Sequence, residues 1–586
     1  MLPERWVFPE PATPGVEHAL AQALEVTPAF ARILLRRGLT DAASADAFLN
    51  AKLDGLHDPL TLPDMPAAVA RITKAVSEKE RIVLFGDYDA DGVSATALMA
   101  GLFRLVQTPV DALVPERDRG GYGLSSDALQ RIRACKPQLV ITLDNGIAAN
   151  GPLETLRAEG IDAIVVDHHC VGAEGLPPAL AVINPQRRDS TYPFDALCGA
   201  GLAFKLAWAL AMNFSHSKKV SPEFRAFLTE ALALAALGTI GDVVPLVGEN
   251  RILALQGLRV LPRRTLVGVA ALLDVCQLDA DHTLDAYDVA FRIVPRLNAA
   301  GRCGQAADAL ELLSTNDPQR AHELAAKLDG LNRTRQDIEK DILQEARAQA
   351  VAALASGDKP VALVLSSPTW HVGVIGIVAS RVVEEFHRPA VLLSMDEKTG
   401  LARGSGRSVR GFHLAEAFAA GDAHLLSHGG HAAAAGLSLK ASEIDAFRTT
   451  LQAVARQRLR AEDLCPTIHL EETLELRELS GAFCAELRKL EPCGAGNPSP
   501  KLAALGVSLV GEARPMGSGE HHISFHARQG TTAMRVVGFG FGEHFNRFCT
   551  EAAAGTLDIA FKPSLNTFRG NTTVELKLEA FRTSLE

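Results

Sequence analysis

The stretch that most constrains this chain is Arg81 to Ala95, RIVLFGDYDADGVSA. Its apolar run, Ile82 to Phe85, ends abruptly at Asp87, Asp89 and Asp91. A short run of this kind, stopped by a glycine, reads as a buried strand. Residues two apart on an extended chain point the same way. The spacing therefore predicts three carboxylates leaving the strand end on one side. Like charges that close repel and raise one another's pKa. A hard divalent cation with oxygen ligands is the natural means of keeping them ionised. Gly92 then lets the chain turn, and Val93 to Val106 is predicted as a helix. A solvated acidic turn would give the same letters, so this motif alone leaves both readings open.

Other elements end the same way. Asp144 and Gly146 follow the apolar run Leu139 to Leu143, and Asp167, His168 and His169 follow Ile164 to Val166. From Met65 to about Ala211, predicted strands at Ile82–Phe85, Leu139–Leu143 and Ala163–Val166 alternate with helices, which argues for a parallel α/β sheet. In such sheets ligands sit outside the carboxyl ends of the strands, so the acidic strand ends are predicted to share one crevice. A fourth piece, LGTIGDVVPL, places Asp242 after the helical run Glu223 to Leu237. Singly, Asp144 and Asp242 would serve as caps or turn formers, and His168 as a hydrogen-bonded core histidine. Four such pieces in one chain point to a common site.

At 586 residues the chain is long enough for several domains. It has no run of 18 uninterrupted apolar residues, so no transmembrane helix is expected. Its first residues lack the basic start and apolar core of a signal peptide. Nine cysteines, scattered and without a CxxC, fit reduced thiols in the cytoplasm. A net charge of -10 does not suggest a bulk polyanion binder; a nucleic-acid substrate would need locally concentrated basic residues and the help of metals. Residues 1–65 read as helical and peripheral, with Asp41 capping DAASADAFLN and a Pro-rich connector at His57 to Pro66. Asp317 caps a helix with Pro318 in its first turn. No proline follows until Pro360, which gives a rod of about 57 Å.

Lys359 to about Ala455 is a second α/β unit, with strands at VALVL and PAVLLSM and a helix at VGVIGIVASRVVEEF. In GSGRS, Ser405 and Arg407 lie on one face if extended. An arginine beside a hydroxyl and approachable backbone suits a phosphate; a plain turn is the other reading. From Leu464 to Glu586, six segments alternate apolar and polar (HLEETLEL, GVSLVGEA, HHISFHAR, AMRVVGFG, LDIAFKP, TVELKLEAF), which predicts a small barrel. Aromatic stacking there would rest on Phe525, Phe539, Phe541 and Phe568.

Together these motifs carry a resemblance. DYDADG, LDNG, DHH and GTIGDVVPL resemble, in order, the four motifs of the DHH phosphoesterase superfamily. PERDRGGYGLS, RIVPRLNAAGR, WHVGVIGIVASR, GSGRS and GGHAAAAG narrow the likeness to the RecJ family of single-strand-specific 5′→3′ DNA exonucleases, from about residue 50 to the C-terminus. The resemblance implies an α/β chain: a parallel-sheet DHH catalytic domain (66–315), a long connecting helix (316–357), a DHHA1-type domain (358–460) and a C-terminal OB-fold barrel (461–586), after the N-terminal helical segment.

It also implies the chemistry. Two divalent cations, Mn²⁺ or Mg²⁺, would bind: one at Asp89 and Asp144, the other at Asp91, Asp144, His168 and Asp242, with Asp144 bridging. Many relatives carry histidine where Phe85 stands. Asp87 or water would complete the first ion's shell here, and Phe85→His would tighten it. The catalytic set is then Asp89, Asp91, Asp144, His168, His169 and Asp242, with His169 on the scissile phosphate. Substrate contacts fall to Arg117, Asn298, Arg302, Ser405, Arg407 and His431. The implied function is metal-dependent digestion of single-stranded DNA to 5′-mononucleotides in DNA repair and recombination, by a cytoplasmic monomer partnered by a single-strand DNA-binding protein and a helicase, with no membrane. The alternatives are a DHH phosphodiesterase of short oligonucleotides or cyclic dinucleotides, and an inactive nucleic-acid-binding subunit.

Overall fold

The structure, a computed structural model, describes residues 4–10, 15–115, 123–172, 174–356, 359–568 and 571–584. Arg117, in PERDRGGYGLS, lies outside the described residues. Two compact units divide the chain, one of residues 6–294, 310–322 and 469–586, the other of residues 1–5, 295–309 and 323–468.

The first unit is built on a five-stranded parallel sheet: β1 (Ile82–Phe85), β2 (Val110–Leu113), β3 (Leu139–Leu143), β4 (Asp162–Val166) and β5 (Ala181–Ile183), in the order β2-β1-β3-β4-β5. β1 and β3 are buried on both faces, as near-continuous apolar runs in a covered sheet should be. The chain leaves β1 for β2 on one side and returns to β3 on the other. The carboxyl ends of β1 and β3 therefore flank the switch point, where doubly wound sheets bind ligands. β2 and β5 were not expected: β2 is half exposed, and β5 is only three residues long.

Two helices, α1 (Ala90–Leu105) and α2 (Gly199–Phe214), pack on the sheet and on each other, and α3 (Pro222–Gly241) packs on both of them. α3 is long and apolar enough to cross a membrane by length and composition. Its apolar run, Ala231 to Leu237, is instead buried throughout.

The N-terminal segment is not peripheral. Asp41 does cap its helix, accepting from the Ala43 and Ser44 amides at 2.9 Å. But Phe30, Ile33 and Leu34 are fully buried in one core with the C-terminal barrel residues Leu502, Phe525, Phe548 and Phe561. Each such side chain contributes about 1.5–3 kcal/mol on burial. Arg251 adds a polar tie. Its buried guanidinium donates to the carbonyls of Lys489, Leu490 and Glu491 at 2.9–3.0 Å and of Phe48 at 2.6 Å. Amphipathic letters alone could not show this, because the partner surface lies more than four hundred residues away.

The barrel closes with five strands: Leu502–Met516, His522–Gln529, Thr532–Gly538, Asn571–Thr583 and Leu557–Phe568, the last pairing back onto the first. This is the OB-fold expected. The sixth segment, HLEETLEL, supplies only the two-residue strand Glu472–Thr473. Phe525 is core, and Phe539 is exposed.

In the second unit the strands run Ser427–Gly430, Ala434–Lys440, Leu401–Arg407, Ala390–Asp396 and Leu363–Ser367 across one sheet, the last two parallel and the rest antiparallel. Helix Ile375–Phe386 packs on it. The long helix is continuous from Pro318 to Ala355, 38 residues, and Asp317 accepts from the Gln319 amide at 2.9 Å.

Candidate metal centre

The three aspartates of DYDADG converge, but not as an extended strand end. β1 stops at Phe85, and α1 begins at Ala90, three residues before the predicted start. Asp89 is the helix cap, accepting from the Asp91 and Gly92 amides at 3.1 Å, and Asp91 sits in the first helical turn. Loop, cap and first turn fold the carboxylates together. Gly92 is needed for close approach rather than for a turn: a Cβ there would lie 2.5 Å from the Asp87 amide nitrogen.

The other elements close on this point. Asp144 follows β3 with a left-handed φ of 64°, a conformation a non-glycine residue seldom adopts without surrounding support. Its neighbour Asn145 ties the two central strands, donating to Phe85 O at 3.2 Å and Leu143 O at 3.0 Å. Asp242 is the C-cap of α3. His168 Nε2 lies 3.2 Å from Asp144 Oδ1 and 3.5 Å from Asp242 Oδ2. Potential ligand atoms gather in three overlapping groups, Asp87–Asp89–Asp144, Asp91–His168–Asp242 and Asp144–His168–His169, each within 4.8 Å. Asp91 also accepts from the Gly199 and Ala200 amides at 2.6 and 2.8 Å, so it caps α2 whatever else it binds. Gly199 and Gly238 make room, since a Cβ on them would lie 2.5 Å from Asp144 Cβ and 2.3 Å from Asp91 Oδ1. Asn145 and Gly238 lie inside the LDNG and GTIGDVVPL motifs, but Gly199 carries no local signal of this role in the sequence.

The electrostatics ask for cations. Burial, then the neighbouring carboxylates, pushes Asp87 and Asp144 well up and Asp89 up. Asp242 is pushed up to about 8 by burial and by Asp91 and Asp89. Burial lowers His168, which keeps its imidazole neutral and able to ligate. His169 differs. Burial would lower it, but the bond from its Nδ1 to Asp167 Oδ1, 2.7 Å, outweighs that and raises it to about 9. Asp167 in turn is held low, against its burial, by His169 and the Ile147 amide. The buried atoms Asp144 Oδ1 and His168 Nε2, 3.2 Å apart, have no hydrogen-bond partner among the described residues. Crowded buried carboxylates, a neutral imidazole and two orphaned ligand atoms fit divalent cations.

A pH dependence follows. In the metal-free protein the folded pKa of Asp242, about 8, lies above its ordinary value of 3.8. The stability its protonated form contributes is complete below the ordinary value and is lost as pH rises through about 8. Metal-free melting temperature is therefore expected to fall between about pH 5 and about pH 8.5, and Mn²⁺ to restore more of it at the higher pH. Calorimetry in buffers of different ionisation enthalpy should show proton release on Mn²⁺ binding. A pH-independent Mn²⁺ affinity with no proton release would contradict this picture.

Phe85 does not face the ligands. It is fully buried with Leu124, Ile132, Leu153 and Val165, so the expectation that Phe85→His tightens the first ion's shell gives way. An imidazole there loses core contacts and gains no evident partner. The variant is expected to be destabilised by about 2–4 kcal/mol, read as a lower urea midpoint, with its Mn²⁺ dependence unchanged. A shift in the half-maximal Mn²⁺ concentration would restore the ligand reading.

The other substrate-contact candidates lie in the second unit. Ser405 and Arg407 stand on one face of Leu401–Arg407, with Arg407 Nη1 donating to Ser405 Oγ at 3.0 Å and to Gly406 O at 2.8 Å. No carboxylate pairs with Arg407 among the described residues, and burial lowers its pKa. Gly376, in the first turn of Ile375–Phe386, lies against both side chains, where a Cβ would sit 2.9 Å from Ser405 Oγ. Asn298 and Arg302 lie on helix Val294–Arg302, and Arg302 Nη1 donates to Gly373 O at 2.8 Å. His431 is exposed at a strand turn, where its amide donates to Ala434 O.

Comparison with known proteins gives three family matches: the DHH family N-terminal domain over residues 81–239, the DHHA1 domain over 358–457 and the RecJ OB domain over 470–580. Proteins named single-stranded-DNA-specific exonuclease RecJ are similar over most of the chain. That of Dickeya dadantii is 36% identical, covering 91% of this chain and 92% of its own. That of Escherichia coli is 34% identical, covering 95% and 96%. The Bacillus subtilis relative is 36% identical over 92% of this chain, which spans 66% of that longer protein. RecJ of Thermus thermophilus in complex with Mn²⁺ superposes with a TM-score of 0.83 at 31% identity, covering 99% of this chain and 80% of that one.

Proposed function

The chain belongs to the RecJ family of single-stranded-DNA-specific exonucleases, and from that premise we infer that it is a divalent-metal-dependent exonuclease of single-stranded DNA. The observation that carries this reading is the meeting of Asp87, Asp89, Asp91, Asp144, His168 and Asp242, with orphaned ligand atoms on Asp144 and His168. Bound there, divalent ions would supply a water of lowered pKa and stabilise charge on the leaving oxygen. The chain's own residues do the rest. Asp144, fixed by its unusual backbone and by Gly199, faces both ligand groups. His169, oriented by the bond from its Nδ1 to Asp167, donates to a non-bridging phosphate oxygen. Ser405 and Arg407, which has no carboxylate partner among the described residues, take up the 5′-terminal phosphate beside a helix N-terminus.

The finer reading is 5′→3′ polarity with release of 5′-mononucleotides, in DNA repair and recombination, by a cytoplasmic monomer working beside a helicase and a single-strand DNA-binding protein. Family likeness supports it, as do nine scattered cysteines with no CxxC. No observation favours the dinucleotide phosphodiesterase, and the complete ligand set speaks against an inactive subunit. The test is digestion of end-labelled single and double strands with and without Mn²⁺. The reading expects early release of a 5′-labelled mononucleotide from the single strand only, and only with metal. Metal-independent digestion, or none, would overturn it.

A further inference from the structure

In a chain most of whose aromatic residues are buried or half-buried, Tyr287 and Phe291 stand out. They are the two most exposed tyrosine or phenylalanine side chains among the described residues, at 63% and 62%. They lie one helical step apart, with ring centroids 4.6 Å apart and planes tilted by 32°. The helical stretch that presents them is unusual, passing from Ala286–Asp288 into a π-helical segment, Val289–Ile293. Such π segments occur often at functional sites. Asp285 and Asp288 cap its start reciprocally, and His282 Nε2 sits 2.6 Å from Asp288 Oδ2, so the display is held rigidly.

Its place matters more than its exposure. Phe291 precedes Val294 by about one turn, and Val294 packs at Gly241. A Cβ on Gly241 would lie 3.1 Å from Ala90 and 3.2 Å from Val294. Ala90 stands between Asp89 and Asp91, and Gly241 adjoins Asp242. The ring pair therefore begins about one turn from the junction that carries metal-centre residues. Nearby charge argues about orientation. Asp279, Asp281 and Asp285 are exposed on the preceding loop, so phosphates are repelled from this surface and uncharged flat groups are not.

We propose that Tyr287 and Phe291 form a stacking platform for unpaired nucleobases of the strand being digested, with its phosphates turned away from the acidic loop. This rests on the single-strand reading above and adds a base-contacting subsite to it. The platform would favour single strands directly, because a paired base has both faces already stacked. Stacking on an aromatic side chain is sequence-tolerant and changes affinity by about 5- to 150-fold per base.

The test separates the platform from the nuclease reading. Binding is measured by fluorescence anisotropy in metal-free buffer, for an oligothymidylate and for the same strand with tetrahydrofuran abasic residues. Digestion of the oligothymidylate with Mn²⁺ is measured on the wild type alone. The double variant Tyr287→Ala, Phe291→Ala should bind the intact strand about 5- to 150-fold more weakly. On the abasic strand the loss should shrink to within about threefold, because there is no base to stack. Phe291→Leu, which keeps apolar bulk, should lose affinity, and Phe291→Trp should keep it. Equal losses on both strands, no loss on either, or full affinity in Phe291→Leu would each overturn the platform. Failure of the wild type to digest the strand would overturn the nuclease reading, while the binding comparison still decides the platform.

Discussion

Asp144→Asn is expected to slow digestion of single strands by at least about a thousandfold at saturating Mn²⁺, equivalent to roughly 4 kcal/mol on the barrier. Asp144 belongs to the group with Asp87 and Asp89, and its Oδ1 lies 3.2 Å from His168 Nε2, a member of the group with Asp91 and Asp242. Removing its charge weakens both cation positions together, and an amide oxygen is a poorer ligand to a hard ion. The isosteric change is chosen because Gly199 packs directly on the Asp144 Cβ, so a smaller or larger side chain would also disturb α2. The same substitution should have the opposite effect on the metal-free fold. Burial and four neighbouring carboxylates push Asp144 well up, so it opposes folding when ionised without a cation. In EDTA near neutral pH, Asp144→Asn should therefore melt higher than the wild type, and the increment should vanish when Mn²⁺ is added to both. Activity within tenfold of wild type would remove Asp144 from the shared position. A lower metal-free melting temperature would show that its packing, not its charge, dominates.

The readable part of this site was its chemistry. Apolar runs stopping at Asp87, Asp144 and Asp167 mark the carboxyl ends of parallel strands, and side-chain type alone says that such a cluster needs cations. What was misread was geometry that depends on distant contacts. Alternation cannot tell an extended Asp-x-Asp-x-Asp from a loop, cap and first turn; Asp89 caps α1 because its side chain reaches the Asp91 and Gly92 amides. Gly199 and Gly238 bear on the site through atoms of Asp144 and Asp91, between about 50 and 150 residues away in the chain; Gly238 lies in GTIGDVVPL, but nothing local says which atom either glycine must clear. Phe85 shows the same limit. Position along the chain placed it four residues before a ligand, while strand alternation turned its ring into the core with Leu124 and Ile132. The N-terminal helices were amphipathic on sight, yet their partner, the barrel core around Phe548 and Phe561, is the far end of the sequence. The barrel itself was legible because alternation is a local signal; only HLEETLEL, which pairs for two residues, mimicked a full strand.

Arg407→Ala is expected to cut kcat/KM on 5′-phosphorylated strands by about 10- to 150-fold, and on 5′-hydroxyl strands by much less. The guanidinium is half-buried and has no carboxylate partner among the described residues, while its Nη1 is oriented by Ser405 Oγ and Gly406 O. A desolvated, unneutralised arginine held in one geometry favours an anion. Gly376 leaves the first turn of Ile375–Phe386 open to the same point, and amides at a helix N-terminus favour negative charge. A charge-assisted hydrogen bond contributes roughly 1.5–3 kcal/mol, which sets the expected factor. The comparison is a double cycle of wild type and variant on phosphorylated and hydroxyl ends. Lys in place of Arg407 keeps the charge but loses the fork, so Arg407→Lys should recover part of the selectivity and not all of it. If the variant loses the same factor on both ends, Arg407 does not read the terminal phosphate, and 5′ selection must come from another cation, with Arg117 the next to replace.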